Sequence, residues 1–166
     1  MNKIKVFENK KVRTAWNEET EDWFFSVIDV IEILTESENP RRYWSDLKIK
    51  LSTEGSELYD DIVQLKLPAA DGKMRLTDVL DTKGILRLVQ SVPSPKAEPF
   101  KMWLAKVGSD RLDEIADPEK AILRGADFYR AKGYTEGWIN QRLQTIEMRK
   151  ELTDEWNRTG VQQGLE

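Results

Sequence analysis

Residues 23–34 read WFFSVIDVIEIL, and the period of the apolar residues changes inside that stretch. Trp23, Phe24 and Phe25 are a short aromatic run of the kind that suits a pleated, half-buried surface. From Ser26 onward Val27, Val30, Ile31 and Leu34 fall at i, i+3, i+4 and i+7, the spacing of one helical face, and Ser26 is placed to cap the first turn. A strand therefore runs straight into a helix. Upstream, Ile4, Val6 and Phe7 and then Val12, Thr14 and Trp16 form two further β-prone runs, divided by polar turns at Glu8 to Lys10 and Asn17 to Glu21. The three runs together predict a meander.

Downstream, Asn39-Pro40 breaks the chain and starts a second helix, because proline is pre-set for the first helical turn and Asn39 can cap it. That helix, Pro40 to Leu51, puts Tyr43 or Trp44, Leu47 and Leu51 on a buried side, with Arg41, Arg42, Lys48 and Lys50 facing water and Asp46 alone among them in negative charge. The two helices have the outline of a helix-turn-helix, although their linker lacks the glycine such turns often contain. Ile62 to Leu67 alternates apolar and polar residues before Pro68, and Asp71-Gly72 is a hairpin-turn dipeptide, so Lys73 to Leu76 is expected as the return strand. Thr77 or Asp78 is then expected to cap a helix holding Val79, Leu80, Ile85, Leu86, Leu88 and Val89. Sheet, helices, hairpin and helices in that order make an α+β fold.

The segment Ser91 to Val107, SVPSPKAEPFKMWLAKV, reads as a proline-studded loop leading into a closing helix whose Phe100, Trp103 and Leu104 complete a core. After Asp117-Pro118 a new helix carries Ile122, Leu123, Ala126, Phe128 and Tyr129 on its apolar side, Gly133-Tyr134 stops it, and Thr135 begins a longer helix with Trp138, Ile139, Leu143, Ile146, Met148, Leu152 and Trp156. The expected organisation is an α+β domain over 1–112, a two-helix extension over 117–158 and a tail over 159–166. The abrupt Gly164-Leu165-Glu166 suggests a chain that natively continues.

Composition narrows the chemistry. Among 166 residues there is neither Cys nor His, which removes Cys nucleophiles, Cys/His zinc sites and a His general base. Charged residues make up 34% of the chain, the start MNKIKVFENKK has no apolar h-region, and no apolar run approaches the ~20 residues that span a bilayer; a soluble, cytoplasmic protein without a membrane partner is expected. The carboxylates Asp29, Glu32, Glu36 and Glu38, and Glu54, Glu57, Asp60 and Asp61, sit near one another but outside any catalytic or metal-binding motif, so they read as solvated surface, and no enzyme activity, metal or cofactor is expected.

A net charge of −4 does not describe a uniformly basic nucleic-acid binder, so any such role needs positive charge gathered on one face. Two basic elements offer it: Arg41, Arg42, Lys48 and Lys50 on the second helix, and Lys66, Lys73 and Arg75 on the hairpin. A helix flanked by a basic hairpin can reach base edges and phosphates of duplex DNA. The six tryptophans read mainly as core, with Trp44, beside Arg41 and Arg42, the best candidate for a ligand contact.

The residues in WFFSVIDVIEIL, NPRRYW and SPKAEPFKMWLAKV, in that order, resemble the N-terminal domain of the BRO family across roughly Ile4 to Asp110. The resemblance implies a DNA-binding regulator, with the phage members acting as antirepressors. The alternative reading is a protein-interaction module that binds and titrates a repressor through the helical extension, which departs from the family pattern, and a homodimer through 135–156 is a further expectation.

Overall fold

The computed structural model describes residues 6–7 and 11–159, leaving aside the side chains of Trp156 and Thr159. Ile4, the turn at 8–10, the side chain of Trp156 and the tail beyond 159 lie outside the described residues. The chain divides into two compact units, Met1–Val107 and Gly108–Glu166. Its elements in chain order are β1 (Thr14–Asn17), β2 (Asp22–Ser26), α1 (Val27–Leu34), α2 (Pro40–Thr53), α3 (Glu57–Asp60), β3 (Val63–Pro68), β4 (Met74–Asp81), α4 (Thr82–Ser91), a 3-10 turn at Pro95–Ala97, α5 (Glu98–Ala116), α6 (Glu119–Ala131) and α7 (Glu136–Thr159). The fold is α+β. None of the described helices is long and apolar enough to cross a membrane.

The four strands form one antiparallel sheet in the order β1-β2-β4-β3. The expected three-run meander is reduced to the β1–β2 pair, because Val6 and Phe7 lie in a turn, with Phe7 at φ 61°, and the next neighbour of β2 is β4. Trp16 and Trp23 face each other in the β1–β2 register with their rings edge to face at 5.0 Å.

Strand β2 passes into α1 as the period change requires: Ser26 is the N-cap and its hydroxyl accepts from the Asp29 amide. The buried face of α1 is Val27, Val30, Ile31 and Leu34, packed with Phe25, Trp44, Leu47, Leu51 and Leu80. Each such aliphatic side chain contributes roughly 1.5–3 kcal/mol by leaving water. Asn39 caps α2 by accepting from the Arg42 amide at 3.1 Å.

The expected helix over Val79 and Leu80 is instead strand. β4 runs on to Asp81, whose side chain caps α4 by accepting from the Gly84 amide at 2.8 Å. Burial on both faces of the sheet makes Val79-Leu80 an apolar run that periodicity cannot tell from a helix. Buried Asp22 on β2 accepts from the Thr82 hydroxyl, tying the start of α4 to the sheet. The short helix α3 was not anticipated from sequence; Ser56 caps it and Leu58 anchors it in the core.

Strand β3 is an edge of the sheet and ends at Pro68, which has no amide to donate. The Pro68 carbonyl accepts from Arg13 Nη1 at 3.1 Å. Near the end of the first unit Phe100 and Leu104 of α5 pack against the core as expected, but Trp103 is half-exposed and does not close it.

In the second unit α6 and α7 are joined by a turn at Gly133, which takes a φ of 91°. Tyr129, Tyr134 and Trp138 gather there, with Tyr134 stacked on Trp138 at 4.1 Å. The buried residues described in this unit are Glu114, Ala126 and Ile139, with Glu114 paired to Arg124 at 2.6 Å. Ile122, Leu123 and Phe128 of the expected apolar face of α6 stand exposed, as do Ile146, Met148 and Leu152 of α7.

Candidate nucleic-acid interface

In α2, residues 41, 44, 45 and 48 are spaced i, i+3, i+4 and i+7 and so share one face. Facing it is the β3–β4 hairpin, whose tight turn is built by Gly72 at φ 78° and by the Ala69 amide donating to the Lys73 carbonyl at 2.8 Å. Register pairs Gln64 with Asp78, Lys66 with Leu76 and Pro68 with Met74, so these six residues lie on one side of the ribbon. Between helix and ribbon runs a groove of about 620 Å³ whose lining includes Arg13, Arg41, Trp44, Lys48, Lys66, Arg75 and Asp78.

Asp78 organises the floor of this groove. Its Oδ2 accepts from Trp44 Nε1 and from Lys48 Nζ, both at 2.8 Å, and its Oδ1 accepts from Gln64 Nε2 at 3.1 Å. Burial pushes the Asp78 carboxyl up, but hydrogen bonds from Lys48, Trp44 and Gln64 outweigh it and hold the group below the usual carboxylate value. The ion pair with Lys48 is shielded, Asp78 being 10% exposed in its side chain.

Arg13 forms the rim, with its guanidinium as a fork on Asp29: Nε donates to Oδ2 at 2.8 Å and Nη2 to Oδ1 at 3.0 Å. Nη2 also donates to Ser26 Oγ and Nη1 to the Pro68 carbonyl, so one side chain joins the approach to β1, the cap of α1 and the end of β3. The Asp29 hydrogen bond raises the guanidinium above its already high ordinary value. At the turn, Arg75 pairs with Asp71, whose carboxyl lies below its ordinary value because of the Arg75 hydrogen bond and the Lys73 amide.

The eight residues singled out in the sequence separate on this geometry. Arg41, Trp44, Lys48, Lys66 and Arg75 line the groove, whereas Arg42, Lys50 and Lys73 are exposed outside its lining. Lys48, Arg13 and Arg75 each have a carboxylate of their own. Arg41 and Lys66 have no ion-pair partner among the described residues and so present uncompensated charge to the groove.

Trp44 is 2% exposed with its indole N–H on Asp78, so its ring offers no open face for stacking on a base; it holds the Asp78–Lys48 pair in place. The expectation for the tryptophans thus reverses at three positions. Trp44, read as the ligand contact, is core, while Trp103 and Trp138, read as core, are exposed.

Sequence reasoning missed Arg13, Gln64 and Asp78 as members of this site. A single arginine between β-prone residues carries no local signal, and Asp29 lies too far along the chain to mark it. The alternation of β3 and β4 could have placed Gln64 opposite Asp78 had the strand been followed past Leu76.

The model of the BRO family, N-terminal domain, matches residues 11–110, which contain β1 to β4, α1 to α4 and the whole groove. No curated protein and no solved structure matches the chain. The match covers more than half of the sequence, and the chain therefore belongs to the BRO family through its N-terminal domain.

Proposed function

We propose that the protein is a non-catalytic regulator that binds duplex DNA through the groove between α2 and the β3–β4 ribbon. The observation that carries this reading is that a chain of net charge −4 places Arg41 and Lys66, without an ion-pair partner among the described residues, on opposite walls of one groove, with Lys48, Arg13 and Arg75 beside them. Phosphates drawn to such a site release their condensed counterions, so affinity is built locally whatever the overall charge. The BRO membership supports the finer reading of a prophage-type antirepressor.

The test is duplex binding between about 50 and 200 mM salt, read by fluorescence anisotropy. Arg41→Ala should flatten the slope of log K against log salt by about 0.9, the loss of one phosphate contact, and Lys66→Ala should weaken binding. Arg42→Ala, outside the groove, should leave it nearly unchanged. Equal slopes for wild type and the Arg41/Lys66 double variant would sink the assignment.

A second proposal concerns the extension. Phe128, Ile146, Met148 and Leu152 expose large apolar surface, which favours a protein-contact role for α6 and α7.

A further inference from the structure

Strand β4 changes character along its length. At Val79 and Leu80 it is buried on both faces, but Met74 is 58% exposed and Leu76 63% exposed, and both line the groove. Their cross-strand partners are Pro68 and Lys66. The opposite side of the ribbon holds Leu67 and Thr77, both buried, so Met74 and Leu76 are not a core face that lost its cover. An antiparallel ribbon with one packed side ordinarily presents polar residues on the other. Here the open side presents a methionine and a leucine, set among cations.

We propose that Met74, Leu76 and Lys66 form a base-reading face, and that its apolar pair recognises thymine methyl groups in the major groove. This rests on the groove being a duplex-binding site. The major groove, about 12 Å wide, admits a two-stranded ribbon, and the one apolar group that base edges display there is the thymine C5-methyl. Lys66 stands opposite Leu76 in register, where its ammonium can donate to guanine O6 and N7 on a neighbouring pair. Arg41, which has no ion-pair partner among the described residues, supplies the charge complementarity that holds a phosphate while the ribbon reads.

The experiment selects the best-binding duplex from a random-sequence pool with the full chain, then resynthesises it with uracil at each thymine in turn. Uracil keeps the base pairing and removes only the methyl. One or two positions should lose about fourfold in affinity, the transfer free energy of a single methyl-sized group. Leu76→Ser or Met74→Ser, both solvent-facing changes that spare the core, should abolish that sensitivity. Arg41→Ala should weaken thymine and uracil duplexes alike. If no position responds to uracil, or if the response survives both serine variants, base reading by this pair is overturned while DNA binding stands. If wild type enriches no duplex from the pool, the groove's assignment fails and the inference fails with it.

Discussion

Lys48 Nζ stands 2.8 Å from Asp78 Oδ2, and this pair clamps the middle of α2 to the middle of β4. Because the folded-state value of the Asp78 carboxyl lies below its ordinary 3.8, its contribution to stability is complete above that value and is lost as pH falls through the folded one. Asp78→Asn should cost about 1–2 kcal/mol at pH 7 in urea unfolding. The difference from wild type should shrink as the pH falls through the folded-state value of Asp78. A gap that stays constant with pH would show that the carboxylate charge is not what holds the two elements together.

Arg13 makes a fork that lysine cannot copy. An ammonium can replace one contact to Asp29, but it cannot also hold Ser26 Oγ and the Pro68 carbonyl in the same plane. Arg13→Lys, although it keeps the charge, is expected to lower the unfolding free energy by about 1–2 kcal/mol, measured by denaturant titration. A loss within about 0.5 kcal/mol, the range of ordinary surface substitutions, would count against the fork.

Two helical glycines should respond to alanine in opposite directions. In α4 a Cβ at Gly84 would meet Leu80 Cβ and Cδ2 at 3.0 Å and Asp81 Oδ1 at 3.2 Å, and Leu80 Cβ is fixed by its own backbone. The clash should exceed the helix-propensity gain and make Gly84→Ala destabilising by ~1–3 kcal/mol. Gly125 in α6 has open space around it, so Gly125→Ala should stabilise by up to about 1 kcal/mol. Thermal unfolding of the two variants, followed by circular dichroism, reads both signs.

The proposed pairing of two copies through residues 135–156 has a direct readout. The described part of the extension buries Ala126 and Ile139 while leaving Ile146, Met148 and Leu152 exposed, and burying these against a second copy would supply the apolar contact it lacks. Sedimentation at micromolar concentration should give a dimer, and Ile146→Asp with Leu152→Asp should return it to monomer. A monomeric wild type would remove the proposal.

Where short-range physics decides, the sequence was a sufficient guide. Ser26 and Asn39 cap the helices they were expected to cap, because a side chain of the right length sits beside free amides. The hairpin at Asp71-Gly72 forms for an equally local reason. What was not legible depends on distance. Val79-Leu80 is strand because sheet and helices cover both its faces, a fact no window of sequence contains. For the candidate groove, charge alone singles out Arg41, Lys48, Lys66 and Arg75, but which of the basic residues line it depends on helix phase and strand register. Asp78 had been read as a possible helix cap and proved to be the acceptor that orders the groove floor.

Pro68 at the end of β3 has a meaning beyond the groove. An edge strand invites another chain to add to the sheet, through its unused amides and carbonyls. At this end of β3 the residue has no amide, and Arg13 has already taken its carbonyl. Ladder pairing with another chain is thereby blocked at the Pro68 end of this edge.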